Sequence, residues 1–115
     1  MEFNSDFKYD LKVGKVKESE LGDAFTGKTI EVKRDLKAGA TGNVFVEYES
    51  RGKPSGISTS EADYWCFALR FVFLLIPTQR LKALCRPYLG GSRDKQGGDS
   101  NTSKGILLPV KELLN

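Results

Sequence analysis

The sequence has 115 residues and a formal net charge of +3, a size that suits one domain with a modest core and a charge mildly favourable to a polyanion partner. The composition, 39% hydrophobic and 29% charged, is typical of a soluble globular protein. It contains no histidine, which excludes Ser-His and Cys-His nucleophile systems and histidine-metal nucleases. Any chemistry must therefore run on carboxylates, lysine, tyrosine and metal.

Targeting and redox signals are weak. The longest apolar run, Phe71 to Ile76, is too short to span a bilayer, and the polar N-terminal stretch does not resemble a signal peptide. We therefore expect a cytoplasmic protein without a membrane partner. Cys66 and Cys85 lack Cys-x-x-Cys spacing, so they are expected to be core thiols and not zinc or redox ligands.

The first predicted element is a helix from Asp10 or Leu11 to about Phe25, stopped by Thr26-Gly27. It would carry two carboxylates, Glu18 and Glu20, and on a helical wheel Glu20 lies nearer the apolar stripe. The apolar residues that recur at helical spacing are Val13, Val16, Leu21, Ala24 and Phe25.

The stretch Thr29 to Asp35 predicts a strand whose alternation places Glu31 and Lys33 on one face and Ile30 and Val32 on the other. If the polar face looks into a cleft, Glu31 can hold a divalent metal while Lys33 stabilises charge or helps deprotonate a water. The alternative is a surface strand with an ordinary ion pair.

A glycine-containing turn, Leu36 to Asn43, leads to a second strand, Val44 to Ser50, whose alternation places Glu47 and Glu49 on one face. The two strands read as a hairpin or as neighbours, which would gather their acidic residues in one cleft. Burying several like charges is costly without a cation, and Mg²⁺ or Mn²⁺ would remove that cost.

The loop Arg51 to Ile57 combines basic residues with glycines, so Arg51, Lys53 and Ser55 are candidates for approaching a phosphate; the alternative is a simple connection. Ser58-x-x-Glu61 fits a capping box, predicting a helix through about Leu69 with Trp65 in the core.

The C-terminal half continues the alternation of strands and helices, and the whole order describes an α/β fold with a mixed sheet flanked by helices. Its long polar, glycine-rich loop offers Arg93 and Lys95 to a nucleic-acid backbone. The predicted elements are a buried strand 71–76 ended by Pro77, a helix capped by Thr78 and running to Cys85, the loop 89–104, an edge strand 106–110 containing Pro109, and a helical turn 111–114.

These motifs carry a resemblance to a known family. The pattern Asp10-Leu-Lys-Val-Gly14-x-x-x-Glu18-x-x-Leu21, followed by Ile30-Glu31-Val-Lys33, resembles the PD-(D/E)XK nuclease superfamily and its archaeal Holliday junction resolvases. The series from Ile30-Glu-Val-Lys-Arg-Asp through Glu47-Tyr-Glu49 to Ala62-Asp-Tyr-Trp65 is similar to short phage-borne members. The similarity covers roughly Asp10 to Ile76.

The resemblance implies a restriction-endonuclease-like core and a Mg²⁺-dependent (or Mn²⁺-dependent) deoxyribonuclease that hydrolyses DNA, with branched or recombination intermediates as candidate substrates. It implies metal ligation by Glu31, Glu47 and Glu18, with Glu20 as the alternative helix acid. It also implies a homodimer, because branched substrates in this superfamily require two active sites, and, for a phage-encoded protein, the host cytoplasm.

Two fits to the family motif remain open. In the first, Glu31 and Lys33 are the signature acid and lysine. In the second, which strand order favours because a predicted helix follows Glu47, Glu31 replaces the usual aspartate and Glu47-x-Glu49 forms the second motif. The rival hypothesis is a catalytically inactive nuclease fold that only binds nucleic acid or protein.

Overall fold

The structure is a computed structural model that describes residues 10–13 and 27–114. The helices among these residues are all short, and none is long and apolar enough to cross a membrane. The strands are β1 (Asp10–Val13), β2 (Ile30–Arg34), β3 (Asn43–Ser50), β4 (Lys53–Pro54), β5 (Tyr64–Ala68), β6 (Val72–Pro77), β7 (Asp94–Gly97) and β8 (Ser103–Pro109). The α-helices are α1 (Ala38–Thr41), α2 (Thr78–Cys85) and α3 (Val110–Leu114), and 3₁₀ turns lie at Gly56–Ser58, Arg86–Tyr88 and Asp99–Asn101.

The strands form two four-stranded sheets. The mixed sheet has the order β1-β6-β5-β2, in which β1 runs parallel to β6, β6 antiparallel to β5, and β5 parallel to β2. The second sheet has the order β4-β3-β8-β7 and is antiparallel throughout. The predicted α/β class with a mixed sheet is confirmed.

The main core is formed by apolar side chains from both sheets and from the helices. Trp65 and Phe67 of β5 are its largest members, and both are almost fully buried. The other members include Val44, Val46, Leu74, Ile76, Leu81, Ile106, Leu108 and Leu113. A smaller cluster contains Tyr64, Leu75, Ile30 and Cys66. Burial of apolar side chains on both faces of β5 anchors the mixed sheet.

Both cysteines pack in apolar surroundings, as predicted. Cys85 is buried in the main core, and Cys66 is half-buried beside the smaller cluster. Burial raises the pKa of both thiols, that of Cys85 to about 12. Both therefore stay protonated and unreactive at neutral pH.

The prediction of a helix from Asp10 is wrong at its start. Residues Asp10–Val13 form β1, which pairs in register with β6 from Val72 to Leu75. Backbone pairing with a buried strand overrides helical spacing here, because tertiary contacts outweigh local preference. The rest of the predicted helix, including Glu18 and Glu20, lies outside the described residues.

The predicted helix through Leu69 is also wrong, because Tyr64–Ala68 is the central strand β5. Ser58, the predicted cap, and Ser60 have other partners. Ser58 Oγ donates to the Tyr48 carbonyl at 2.8 Å, and Ser60 Oγ accepts from Trp65 Nε1 at 3.0 Å. Trp65 itself lies in the core, as predicted.

Strands β2 and β3 form as predicted, but not as a hairpin or as neighbours. They belong to different sheets and are joined through α1. Alternation gave the two faces of β2 but not their environment: Val32, on the apolar face, is 59% exposed. Glu31 and Lys33 are on the opposite face. In the strand register they lie beside Trp65 and Phe67 of β5.

The strand after Phe71 and the helix to Cys85 are confirmed as β6 and α2. Thr78 does not cap α2, because its hydroxyl donates to the Ala62 carbonyl at 2.6 Å. The predicted loop 89–104 instead contains β7, which forms a hairpin with β8. Pro109 ends β8 between β3 and β7, so the predicted edge position is wrong.

Candidate active site

Glu31 and Lys33 project from the edge strand of the mixed sheet. The register pairs Glu31 with Trp65 and Lys33 with Phe67, which places both side chains on the Trp65 face. Lys33 Nζ lies 5.7 Å from the centroid of the Trp65 ring. Since the indole is buried and donates to Ser60, it offers the ammonium a fixed surface for a cation–π contact.

Glu47 reaches the same region from the antiparallel sheet. Its side chain is half-buried, and Ser55 Oγ donates to Glu47 Oε2 at 2.9 Å. Gly56 packs against the Glu47 backbone so closely that an added Cβ would lie 2.2 Å from the Glu47 carbonyl oxygen. The carboxylate is therefore oriented by its neighbours, and it retains further acceptor capacity.

All three residues line one cleft of about 470 Å³. Glu31 and Lys33 form one wall, and Glu47 with Gly56 belongs to the other. The part of the chain that the structure describes gives Glu31 no ion-pair partner. We call this feature the acidic cleft; its remaining lining residues are Ile30, Thr59, Ser60, Glu61 and Ala62.

Glu61 is a third carboxylate at the acidic cleft that sequence reasoning missed as a site residue. The sequence pattern predicts Glu61 as part of a capping box. Only the three-dimensional structure shows that the loop before β5 folds back toward Glu47. Within residues 10–13 and 27–114, no three Asp, Glu, Cys or His side chains are grouped closely enough to hold a metal together. The described acids therefore offer an ion separate ligands and not a closed cage.

Glu49 does not join Glu47, so the prediction that they share a face is wrong. The β3–β8 register shifts between them: Glu47 pairs with Gly105, and Glu49 pairs with Lys104. Consecutive residues of β8 point to opposite faces, so their partners do as well. Lys104 Nζ also lies 3.6 Å from Glu49 Oε2, which draws Glu49 away from the acidic cleft.

The candidate phosphate ligands of the Arg51–Ile57 loop are separated. Arg51, with φ of 52°, and Gly52, with φ of 78°, form the exposed turn between β3 and β4. Lys53 is exposed on β4. Neither basic residue lines the acidic cleft, whereas Ser55 orients Glu47 within it. The serine thus has a partner inside the protein.

Arg93 lies in the turn directly before β7 and Lys95 lies on β7, and the two differ in their surroundings. Arg93 NH1 donates to Asn43 Oδ1 at 2.8 Å and to the Leu107 carbonyl at 3.0 Å. The guanidinium carbon also lies 5.9 Å from the Tyr88 ring centroid. The Arg93 side chain is therefore held by contacts within the protein, whereas Lys95 is exposed on β7.

A smaller depression of about 210 Å³ extends from the acidic cleft along β2. It shares Lys33 and Glu47 with the cleft and adds Arg34 and Asp35. Asp35 accepts from the backbone N–H groups of Lys37 and Phe45, at 3.1 and 3.2 Å. These bonds hold the β2–β3 connection but leave the carboxylate charged, so the depression carries two cations, Lys33 and Arg34, and two carboxylates, Asp35 and Glu47.

Comparison with protein-family models, with curated proteins and with solved structures finds no match.

Proposed function

We propose that the protein is a Mg²⁺-dependent nuclease that hydrolyses DNA phosphodiester bonds at the acidic cleft. The observation that carries this proposal is that Glu31, Lys33 and Glu47 line one cleft although they come from two different sheets. Carboxylates beside a lysine, in a chain without histidine, suit phosphodiester hydrolysis better than acyl transfer. The resemblance to PD-(D/E)XK nucleases supports the same chemistry and belongs to this proposal.

The chemistry of the donors at the acidic cleft supports a magnesium ion. Mg²⁺ is commonly bound through one or two carboxylates, with water and substrate phosphate completing the shell. Glu31 and Glu47 supply two such carboxylates at one cleft, and they would hold the ion. A metal bound there supplies Lewis-acid stabilisation of the phosphate charge and a more acidic water.

The protein's own groups supply the rest. Lys33 places a positive charge beside Glu31, where it can stabilise charge that develops on the phosphate. Ser55 fixes the rotamer of Glu47 through its 2.9 Å hydrogen bond. The Trp65 ring limits the directions in which the Lys33 ammonium can point. These contacts orient the Lys33 and Glu47 side chains before the substrate binds.

The geometry favours the Glu31-x-Lys33 fit over the Glu47-x-Glu49 fit. Glu31 and Lys33 line the same cleft, whereas Glu49 pairs with Lys104 on the other face of β3. The helix expected after Glu47, which favoured the second fit, is replaced by a 3₁₀ turn and a strand. We therefore assign the acid and lysine of the motif to β2, with Glu47 as the second metal ligand.

The test is cleavage of four-way junction, duplex and single-stranded DNA with Mg²⁺ or Mn²⁺, using EDTA as a control. Glu31→Gln and Glu47→Gln should each lower the rate by about 100-fold or more, with unchanged circular dichroism. Glu49→Gln is the matched control on the same strand and should retain activity. Full activity in either of the first two variants contradicts the assignment, and loss in Glu49→Gln restores the second fit.

A second candidate is a module that binds nucleic acid without cutting it. It is favoured by the lack of a three-residue metal group among the described residues. Calorimetric titration with Mn²⁺ separates the two functions. Heat that disappears in Glu31→Gln supports the nuclease, whereas DNA retention without any metal binding supports the module.

A further inference from the structure

The turn between β5 and β6 carries an exposed aromatic ring beside an arginine. Phe71 is 60% exposed, and the guanidinium carbon of Arg70 lies 5.5 Å from its ring centroid. Among the described residues, three of the five large exposed hydrophobic side chains belong to this end of the mixed sheet: Val32, Leu36 and Phe71. Such clustering marks a binding surface more often than scattered exposure does.

A groove of about 570 Å³ lies beside this turn. Its walls are apolar, and Arg34 and Arg70 supply positive charge; the described residues that line it include no carboxylate. We call it the edge groove, and its apolar lining residues include Val32, Leu36, Leu69 and Phe73. Apolar walls with two guanidinium groups suit a ligand that has flat apolar faces and repeated negative charges.

The edge groove continues into the acidic cleft. The depression along β2 shares Arg34 with the groove, and it shares Lys33 and Glu47 with the cleft. Lys33 and Arg34 are consecutive on an edge strand, so they point to opposite faces and make both sides of that edge basic. A polyanion that follows the depression therefore meets Lys33 and Arg34 at the strand edge, beside the carboxylates of Asp35 and Glu47.

The spacing suits a few nucleotides. Glu31 and Arg34 are three residues apart on an extended strand, or about 10 Å along the backbone at 3.3 Å per residue, and their side chains point to opposite faces, so a ligand that contacts both must cross the sheet edge. Stacked nucleotides advance about 3.4 Å each along one strand, so at least about three of them are needed to follow this path. The Arg70–Phe71 turn lies beyond Arg34, because Arg34 pairs with Ala68 and the chain continues past it.

We propose that the edge groove binds unpaired nucleotides of the strand whose phosphodiester bond lies in the acidic cleft, with Phe71 as a stacking surface. This inference rests on the proposed function and narrows its substrate class to DNA that has a single-stranded segment beside the cleavage site. An exposed ring stacks most readily on an unpaired base, because the faces of bases inside a duplex are already stacked and the duplex presents phosphates to a protein surface.

Binding is measured in EDTA, so that cleavage does not enter. A fluorescent oligothymidylate and a duplex of similar length are titrated with the full chain and with Phe71 variants. Phe71→Ala should weaken binding of the single strand about tenfold, the usual loss of one base–aromatic stack, and should change duplex affinity little. Phe71→Trp should retain affinity, and Phe71→Leu should behave like Phe71→Ala, because it keeps bulk but loses the ring.

Leu114→Ala is the control for loss of an exposed apolar side chain, since Leu114 is 53% exposed on α3. Equal single-strand affinity for Phe71→Ala and the parent protein overturns the inference, as does equal affinity for Phe71→Leu and Phe71→Trp. A change of molar mass by light scattering in Phe71→Ala, without a change in DNA affinity, makes the groove a self-association surface and also overturns it.

The two proposals fail separately. Cleavage that depends on Glu31, with single-strand affinity independent of Phe71, removes the edge groove and leaves the nuclease. Phe71-dependent binding without cleavage under any metal removes the nuclease and leaves the groove as a single-strand site.

Discussion

The acidic cleft and the β3–β7–β8 region contain the same kinds of charged residue but use them differently. Around β7, Arg93 bonds to Asn43 and Leu107, and Asp94 accepts from the Tyr48 hydroxyl at 2.7 Å and from the Gly90 N–H at 2.8 Å. These groups fasten β7, which has no apolar side chain of its own, to the rest of the sheet. We call this set of contacts the hairpin network.

In the acidic cleft, charged groups are held in position by neighbouring residues but keep part of their capacity to bind a ligand. Ser55 engages one oxygen of Glu47, and Trp65 supports Lys33 without neutralising it. A charged side chain in a small domain can stabilise the fold through internal contacts, or it can stay available to a ligand. Substitutions in the hairpin network should therefore mainly lower stability, and substitutions of charged residues in the acidic cleft should mainly lower cleavage.

The largest expected effect comes from Gly56, which packs against the Glu47 backbone within one wall of the cleft. Its φ is +55°, and an added Cβ would lie 2.2 Å from the Glu47 carbonyl oxygen. Gly56→Ala therefore combines left-handed backbone strain with a backbone clash, and we expect it to cost about 3 kcal/mol or more. Chemical denaturation measures the free energy of unfolding.

Gly52→Ala is the matched control. Gly52 also has positive φ, +78°, but a Cβ there would meet no atom within 4 Å. It should lose only about 1–2 kcal/mol, the backbone strain alone. Equal losses in the two variants would show that the close approach to Glu47 contributes nothing.

Sequence reasoning succeeded where short patterns decide the structure. β2, β3 and β6 carry alternating or continuous apolar residues within a few positions, and their bounds follow from that pattern. Continuous burial makes helix and strand hard to distinguish, which explains the error at Tyr64–Ala68. Both faces of that segment are covered by other parts of the chain, and the local sequence pattern does not show this burial.

The remaining errors have a different cause. The four residues of β7, Asp-Lys-Gln-Gly, include no apolar side chain, so its strand depends on pairing with β8 and on the hairpin network. For the site, alternation correctly placed Glu31 and Lys33 together, but it could not reveal the bulge that separates Glu47 from Glu49. Nor could it show that Glu61 returns to the same cleft.

The next effect contrasts Arg93 with Lys33, one cation from each region. Arg93→Ala should lower the free energy of unfolding by about 2 kcal/mol, because it leaves acceptors on Asn43 and Leu107 without their donor. It should leave cleavage by the folded protein unchanged. Lys33→Ala should do the reverse, with a loss of stability within about 1 kcal/mol, since Lys33 is exposed, and a marked loss of cleavage.

Urea unfolding and initial cleavage rates, measured on the same preparations, check this contrast. A catalytic defect in folded Arg93→Ala would place Arg93 on the substrate path. Unchanged cleavage in Lys33→Ala would remove the lysine from the proposed chemistry.

The smallest effect concerns Tyr48, which joins β3 to β7. Its hydrogen bond to Asp94, with burial and the negative charges of Asp94 and Glu49, raises the pKa of Tyr48 from 10.0 to about 12. A pKa raised on folding contributes stability that is fully present below the unfolded value and is lost as pH rises through the folded one. The parent protein should therefore be about 1 kcal/mol more stable than Tyr48→Phe at neutral pH, and this advantage should shrink between pH 10 and pH 12.

The advantage should also depend on Asp94. Partial burial acts to raise the pKa of Asp94, but hydrogen bonds from Gly90 and Tyr48, together with the charge of Lys104, hold it below the usual range. In an Asp94→Asn background, Tyr48→Phe should therefore cost less, and the difference between the two costs is the coupling energy of the pair. A cost of Tyr48→Phe that is the same in both backgrounds, and constant as pH rises, would mean that the hairpin is held by its backbone pairing and not by this side-chain contact.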